Sequence, residues 1–118
     1  MTEGNKTHEY LPIDFDPEWL AVLQKLKEQF GKKPNLEAIL FLIGINELNS
    51  TRKDFNKEEK EYLMHIAVCK LLSMNGYYRL VGKDPEGWPL WEQNSTLPAL
   101  GIIDQEELLK RNIIKYFK

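Results

Sequence analysis

The stretch LEAILFLIGINEL, residues Leu36–Leu48, decides the fold of this chain. Drawn as a helix it is apolar nearly all round, which is typical of the buried central helix of a small domain. A buried strand is the competing interpretation, because residues 39–45 carry no charge. The length of the stretch and its Leu, Ala and Glu content favour the helix. We therefore expect a helical domain built around this segment.

Helical patterns flank the central segment on both sides. Upstream, Asp16 can cap a helix whose first residue is Pro17, and Gly31 can end it in a left-handed conformation. Downstream, Asn56 begins a variant of the capping-box pattern. The helix that follows it is predicted to run to about residue 75, with Gly76 as its stop.

After Gly76 the spacing of apolar residues changes from the period of a helix to the alternation of a strand. Tyr77–Val81 and Trp88–Glu92 flank a stretch of turn residues, which predicts a β-hairpin with a turn longer than two residues. Pro89 cannot donate a backbone hydrogen bond, so its strand is expected at an edge or a bulge. Asp104 repeats the capping pattern and is predicted to start the last helix.

These elements predict a mainly α fold of the α+β class, with four helices around a central apolar helix and one β-hairpin between the third and fourth helices. We expect one globular domain over residues 14–118, since 118 residues suit a single domain. Residues 1–13 are mostly polar, and their apolar residues show no helical or strand periodicity, which predicts a flexible N-terminal tail.

Composition excludes several classes of protein. Sixteen Lys and Arg face eighteen Asp and Glu, a net charge of −2, whereas nucleic-acid binders usually carry a basic excess. Cys69 is alone, so no disulfide can form within the chain. The N-terminus lacks the apolar core of a signal peptide, and no apolar stretch approaches the roughly 20 residues that a membrane span needs. We expect a soluble cytoplasmic protein.

The third helix carries a polar stripe with candidate metal or thiol chemistry. Glu61, His65 and Cys69 are each four residues apart, so consecutive members can touch. Carboxylate, imidazole and thiolate all bind zinc, and a histidine one turn away can activate a thiolate. The alternative is a structural helix in which Cys69 is buried and His65 pairs with Glu61. The sequence favours this alternative, because the only other histidine, His8, lies in the predicted tail and there is no second cysteine. We predict no cofactor and no catalytic residue.

The predicted hairpin is dense in aromatic residues. Tyr77, Tyr78, Trp88 and Trp91 lie within fifteen residues of one another, close to Arg79. Exposed Tyr or Trp beside Arg is typical of a protein-interaction hot spot. The alternatives are that all four rings complete the small core, or that they stack on nucleic-acid bases. We predict a contact surface for a protein partner here, and self-association through the hairpin edge is a further option.

A winged-helix nucleic-acid-binding protein is the rival interpretation, since three helices followed by a hairpin match its order. The charges argue against it, because acidic residues balance the basic ones in both the third helix and the hairpin turn. No glycine-rich phosphate loop precedes a helix, and no nucleophile-elbow or HExxH pattern is present. The sequence thus favours a small non-catalytic interaction or accessory protein.

Three segments resemble a family of small uncharacterised bacterial proteins: PNLEAILFLIGINEL, EEKEYLMHIAVCKLL and GYYRLVGKDPEGWPLW. The resemblance covers roughly residues 34–117 and excludes the tail. The family carries no assigned reaction, so the resemblance transfers no functional residue. It implies only a small cytoplasmic bacterial protein.

Overall fold

The central apolar segment is a helix. The computed structural model describes residues 12–96 and 101–118, apart from the side chains of Ile102 and Ile103. Within these residues, four helices and a two-stranded antiparallel hairpin between the third and fourth confirm the predicted fold class. In chain order the elements are a 3-10 turn Ile13–Phe15, helices α1 Pro17–Phe30, α2 Leu36–Leu48 and α3 Lys57–Ser73, strands β1 Tyr78–Lys83 and β2 Pro89–Gln93, and helix α4 Ile102–Tyr116.

Side-chain caps begin α1 and α3 where the sequence predicts them. The carboxylate of Asp16 accepts from the backbone N–H of Glu18 at the start of α1. Asn56 forms a complete capping box with Glu59 at the start of α3. Gly31 ends α1 at φ 80°, a left-handed conformation that glycine adopts without a steric cost.

The start of the fourth helix was predicted wrongly. Helix α4 begins at Ile102 with Gly101 as its N-cap, and Asp104 lies in its first turn rather than before it. Glycine is an acceptable N-cap residue, and an acidic residue in the first turn is stabilised by the helix dipole. Asp104, which the capping pattern predicts at the start of the helix, is therefore the third residue of the helix.

The core consists of two apolar clusters that share α2 and α3. Ile39 and Ile43 of α2 are fully buried in the larger cluster, which also receives Trp19 of α1 and Ile113 of α4. The smaller cluster lies under the hairpin and contains Leu48, Phe55, Leu63, Ile66 and Trp88. Helices α2 and α3 therefore contribute to both clusters, and α3 is the helix on which the two hairpin strands pack.

Helices α2 and α3 make their closest approach at Gly44. A Cβ atom at this position would fall inside the van der Waals radius of the backbone carbonyl oxygen of Leu63. A methyl group there would push the two backbones apart. The one glycine in the apolar segment is therefore a packing requirement.

Helix α4 is fixed to the core by polar contacts as well as apolar ones. The side chain of Asn112, 1% exposed, donates to the backbone carbonyl of Leu71 at 3.0 Å and to the side-chain oxygen of Asn75 at 2.6 Å. The hydroxyl of Tyr116 donates to the carboxylate of Glu47 at 2.9 Å. Burial and this carboxylate raise the pKa of Tyr116 to about 12.

The first described residues belong to the domain. Ile13 is 7% exposed and lies in the larger cluster, although the sequence assigned it to the tail. Asp14 accepts from Lys110 at 2.9 Å, and Asp16 pairs with Arg111 at 3.3 Å, so the entry to α1 is held against α4. Residues 1–11 of the predicted tail lie outside the described residues.

The hairpin follows the predicted strands to within two residues. Tyr78 pairs with Gln93 and Lys83 with Pro89, and the register shifts at Val81 between these ends. The turn is organised by Asp84, whose carboxylate accepts from the backbone N–H groups of Glu86 and Trp88, both at 2.9 Å. This Asx-type turn aligns the start of β2 for packing on α3.

Candidate interaction surface of the hairpin

Trp88 anchors the hairpin to the core. Its side chain is 9% exposed, and its ring lies 6.3 Å from that of Phe55 and 5.6 Å from that of Tyr62, centroid to centroid. Such tilted and edge-to-face pairs stabilise beyond their buried area. Trp88 therefore does not belong to the exposed aromatic contact surface that the sequence predicted.

Trp91 is half-buried against the smaller cluster. Its indole Nε1 is buried and has no hydrogen-bond acceptor among the described residues. Leu80 pairs directly with Trp91 across the hairpin, so the two side chains share a face of the sheet. Trp91 thus acts mainly as a packing residue at the edge of the smaller cluster.

The remaining predicted contact residues are partly available. Tyr77 and Tyr78 are half-buried where β1 leaves α3. Arg79 is exposed and pairs with Glu92 across the strands, with the guanidinium 2.6 Å from the carboxylate. An exposed pair of this kind contributes little to stability and leaves both groups accessible to a partner.

Three aliphatic residues of the hairpin are exposed, and the sequence did not predict them as contact residues. Leu80 is 53% exposed, Val81 50% and Leu90 38%. The sequence did not predict that Leu80 and Val81 are both exposed, because side chains alternate between the two faces of a strand and one of two successive apolar residues is then expected on the buried face. The irregularity at Val81 breaks that alternation, and no sequence signal announced it.

Both strands carry features that oppose pairing with a further strand. The irregularity lies within β1, which also bears the cations Arg79 and Lys83, and Pro89 begins β2 without a backbone N–H. Bulges, charges and proline at a sheet edge are the devices by which proteins prevent edge-to-edge association. We therefore expect contacts through side chains of the hairpin rather than through its backbone edges.

A cleft of about 350 Å³ separates the hairpin turn from the first turns of α3. Tyr62, 40% exposed, and the ring of Trp88 form its aromatic part. Glu58 and Glu59 line it from the helix, and Asp84 and Glu86 line it from the turn. The cleft therefore combines aromatic surface with negative charge.

Comparison with known proteins identified no relative. No family model, no curated protein and no solved structure matched this chain. The resemblance to small bacterial proteins stays a prediction, and the function has to be argued from the surface itself.

The candidate thiol lies in the protein interior. Cys69 is fully buried, and its Sγ is 3.5 Å from Nε2 of His65. Burial raises the pKa of the Cys69 thiol to about 11, so the thiol is protonated at neutral pH. A catalytic cysteine requires the opposite shift.

The predicted metal ligands do not come together as a set. No group of three His, Cys, Asp or Glu side chains with metal-binding geometry occurs within residues 12–96 and 101–118. Glu61 and His65 are exposed, and the ring of His65 stacks on that of Tyr62 with centroids 6.2 Å apart. His65 therefore contacts Cys69 and Tyr62 instead of joining Glu61 in a metal site.

Proposed function

We propose that this protein is a non-catalytic interaction or accessory protein that binds a protein partner through its hairpin. The exposure of Leu80, Val81 and Leu90 on a hairpin that is anchored by Trp88 supports the proposal. Aliphatic side chains exposed on an element that is already anchored lose little entropy on binding and gain the free energy of apolar burial. Arg79 and Glu92 supply a polar rim.

The charges favour a protein partner over a nucleic acid. In a winged-helix protein, α3 would enter the major groove and the hairpin would contact the backbone. Here the first turns of α3 and the hairpin turn meet at a cleft lined by four carboxylates. Phosphates would be repelled at the place where they would have to bind.

We place this interaction in the cytoplasm, as a proposal from the composition of the chain. Its one cysteine is buried as a free thiol, which suits a reducing compartment. Within residues 12–96 and 101–118, no helix is long and apolar enough to cross a membrane.

Site-specific photocrosslinking in cells of the source organism tests the proposal. A photoreactive amino acid replaces Leu80 in one variant and Leu20 in the other. Leu20 is a matched control, since it is 46% exposed but lies on α1. We expect a discrete crosslinked protein from position 80 and none from position 20.

Mass spectrometry of the crosslinked species identifies the partner, and mixing the two purified proteins must reconstitute the complex. Equal diffuse crosslinking from both positions, or no crosslinking from position 80, would contradict the proposal. A crosslink between two copies of this chain would identify self-association as the interaction.

A further inference from the structure

We propose that the cleft between the turn of the hairpin and the first turns of α3 binds a lysine or arginine side chain of the partner protein. This inference rests on the proposed function, and it specifies which kind of side chain the partner places beside the turn of the hairpin. The occupant is a basic segment of a protein chain. The argument for it is charge complementarity at an aromatic cleft.

Two of the four carboxylates in the cleft serve the fold. Glu59 accepts from the backbone N–H of Asn56 and from Arg52, and these hydrogen bonds lower the pKa of its carboxyl group. Asp84 accepts from two backbone N–H groups of the turn. These two groups are engaged before any partner binds.

The other two carboxylates are available to a ligand. Glu58 and Glu86 are exposed, and neither forms an ion pair or a side-chain hydrogen bond within the part of the chain that the structure describes. One lies on α3 and the other on the turn, so they border the cleft from opposite elements. A cation between them would gain the attraction of both.

The aromatic residues select an organic cation over a simple ion. Tyr62 and Trp88 are tilted by 46° with centroids 5.6 Å apart, and 40% of Tyr62 is exposed. A guanidinium or ammonium group over a ring face is attracted by the ring quadrupole, and its aliphatic stem covers apolar surface. Both parts of a lysine or arginine side chain therefore find a matching surface.

The test measures binding of a capped glycine–arginine–glycine–arginine–glycine peptide to the full chain by NMR. The neutral control replaces each arginine by citrulline, and the lysine version of the peptide compares the two cations. We expect saturable shifts of the Tyr62 and Trp88 ring signals with the basic peptides alone. The Glu58→Gln, Glu86→Gln double variant should weaken binding about threefold to tenfold.

Glu28→Gln is the matched control, because Glu28 is an exposed carboxylate on α1. It should leave the affinity unchanged, and Tyr62→Phe should retain binding better than Tyr62→Ala. Shifts spread over all acidic surfaces, or equal binding by the double variant and the control, would overturn the inference. Failure here leaves the crosslink from position 80 intact, whereas loss of that crosslink defeats the proposed function itself.

Discussion

At the scale of single residues, the fold depends on a few positions whose chemistry has no substitute. Gly44 allows the backbones of two helices to meet, and Asn112 satisfies the backbone carbonyl of Leu71 near the end of α3 from within the core. Cys69 lies in the same interior as a protonated thiol. Each of these residues serves packing, and none of them supplies a reactive group.

Gly44→Ala should destabilise the protein by about 2 kcal/mol. In a solvent-exposed helix the same change stabilises by about 1 kcal/mol, but here the added methyl group meets the backbone of Leu63. Urea unfolding measures the difference. Ala21→Gly on the exposed side of α1 reports the helix propensity alone and should cost about 1 kcal/mol. A Gly44→Ala protein as stable as the wild type would show that the helices do not touch there.

The thiol of Cys69 should be inert in the folded protein. Burial raises its pKa from 9.0 to about 11, so alkylation near neutral pH should be at least about tenfold slower than in urea-unfolded protein. The folded state holds this proton more tightly than the unfolded state does. The resulting stabilisation is complete below pH 9 and is lost as the pH rises towards about 11. Rapid alkylation of the folded protein would restore the thiol hypothesis.

At the scale of elements, the helices were predictable and the hairpin was predictable only in outline. Helical spacing, Asp16 and Asn56 located the first and third helices, because caps and periodicity are local properties of the sequence. The burial of Trp88 and the exposure of Leu80 depend on how the hairpin docks on α3, which local patterns do not encode. Cys69 is buried, as in the structural alternative that the sequence favoured for its helix.

Asp84 should determine how firmly the hairpin is held. Asp84→Ala removes the acceptor for the backbone N–H groups of Glu86 and Trp88, and we expect a loss of about 1–3 kcal/mol. Amide hydrogen exchange should become faster in β1 and β2 but not in α1. Asp84→Asn keeps a side-chain oxygen and should restore most of the protection. Unchanged exchange in Asp84→Ala would show that the turn does not depend on this side chain.

At the scale of the whole molecule, the buried apolar residues form two clusters with different roles. The larger cluster joins all four helices, and the smaller one attaches the hairpin through Trp88. The exposed surface of the hairpin includes three aliphatic side chains on its strands and two carboxylates, Asp84 and Glu86, that line the cleft at its turn. A partner that fits this surface presents apolar side chains to the strands and a basic residue to the cleft.

The affinity of the crosslinked partner for two aspartate variants tests this account most directly. Leu80→Asp changes the proposed surface, whereas Leu20→Asp changes a leucine of similar exposure on α1. Calorimetry should show a loss of about tenfold or more for Leu80→Asp, as expected when a buried interface leucine becomes charged, and an affinity within about twofold of wild type for Leu20→Asp. Wild-type affinity in Leu80→Asp, or an equal loss in both variants, would contradict the claim that the hairpin is the contact surface.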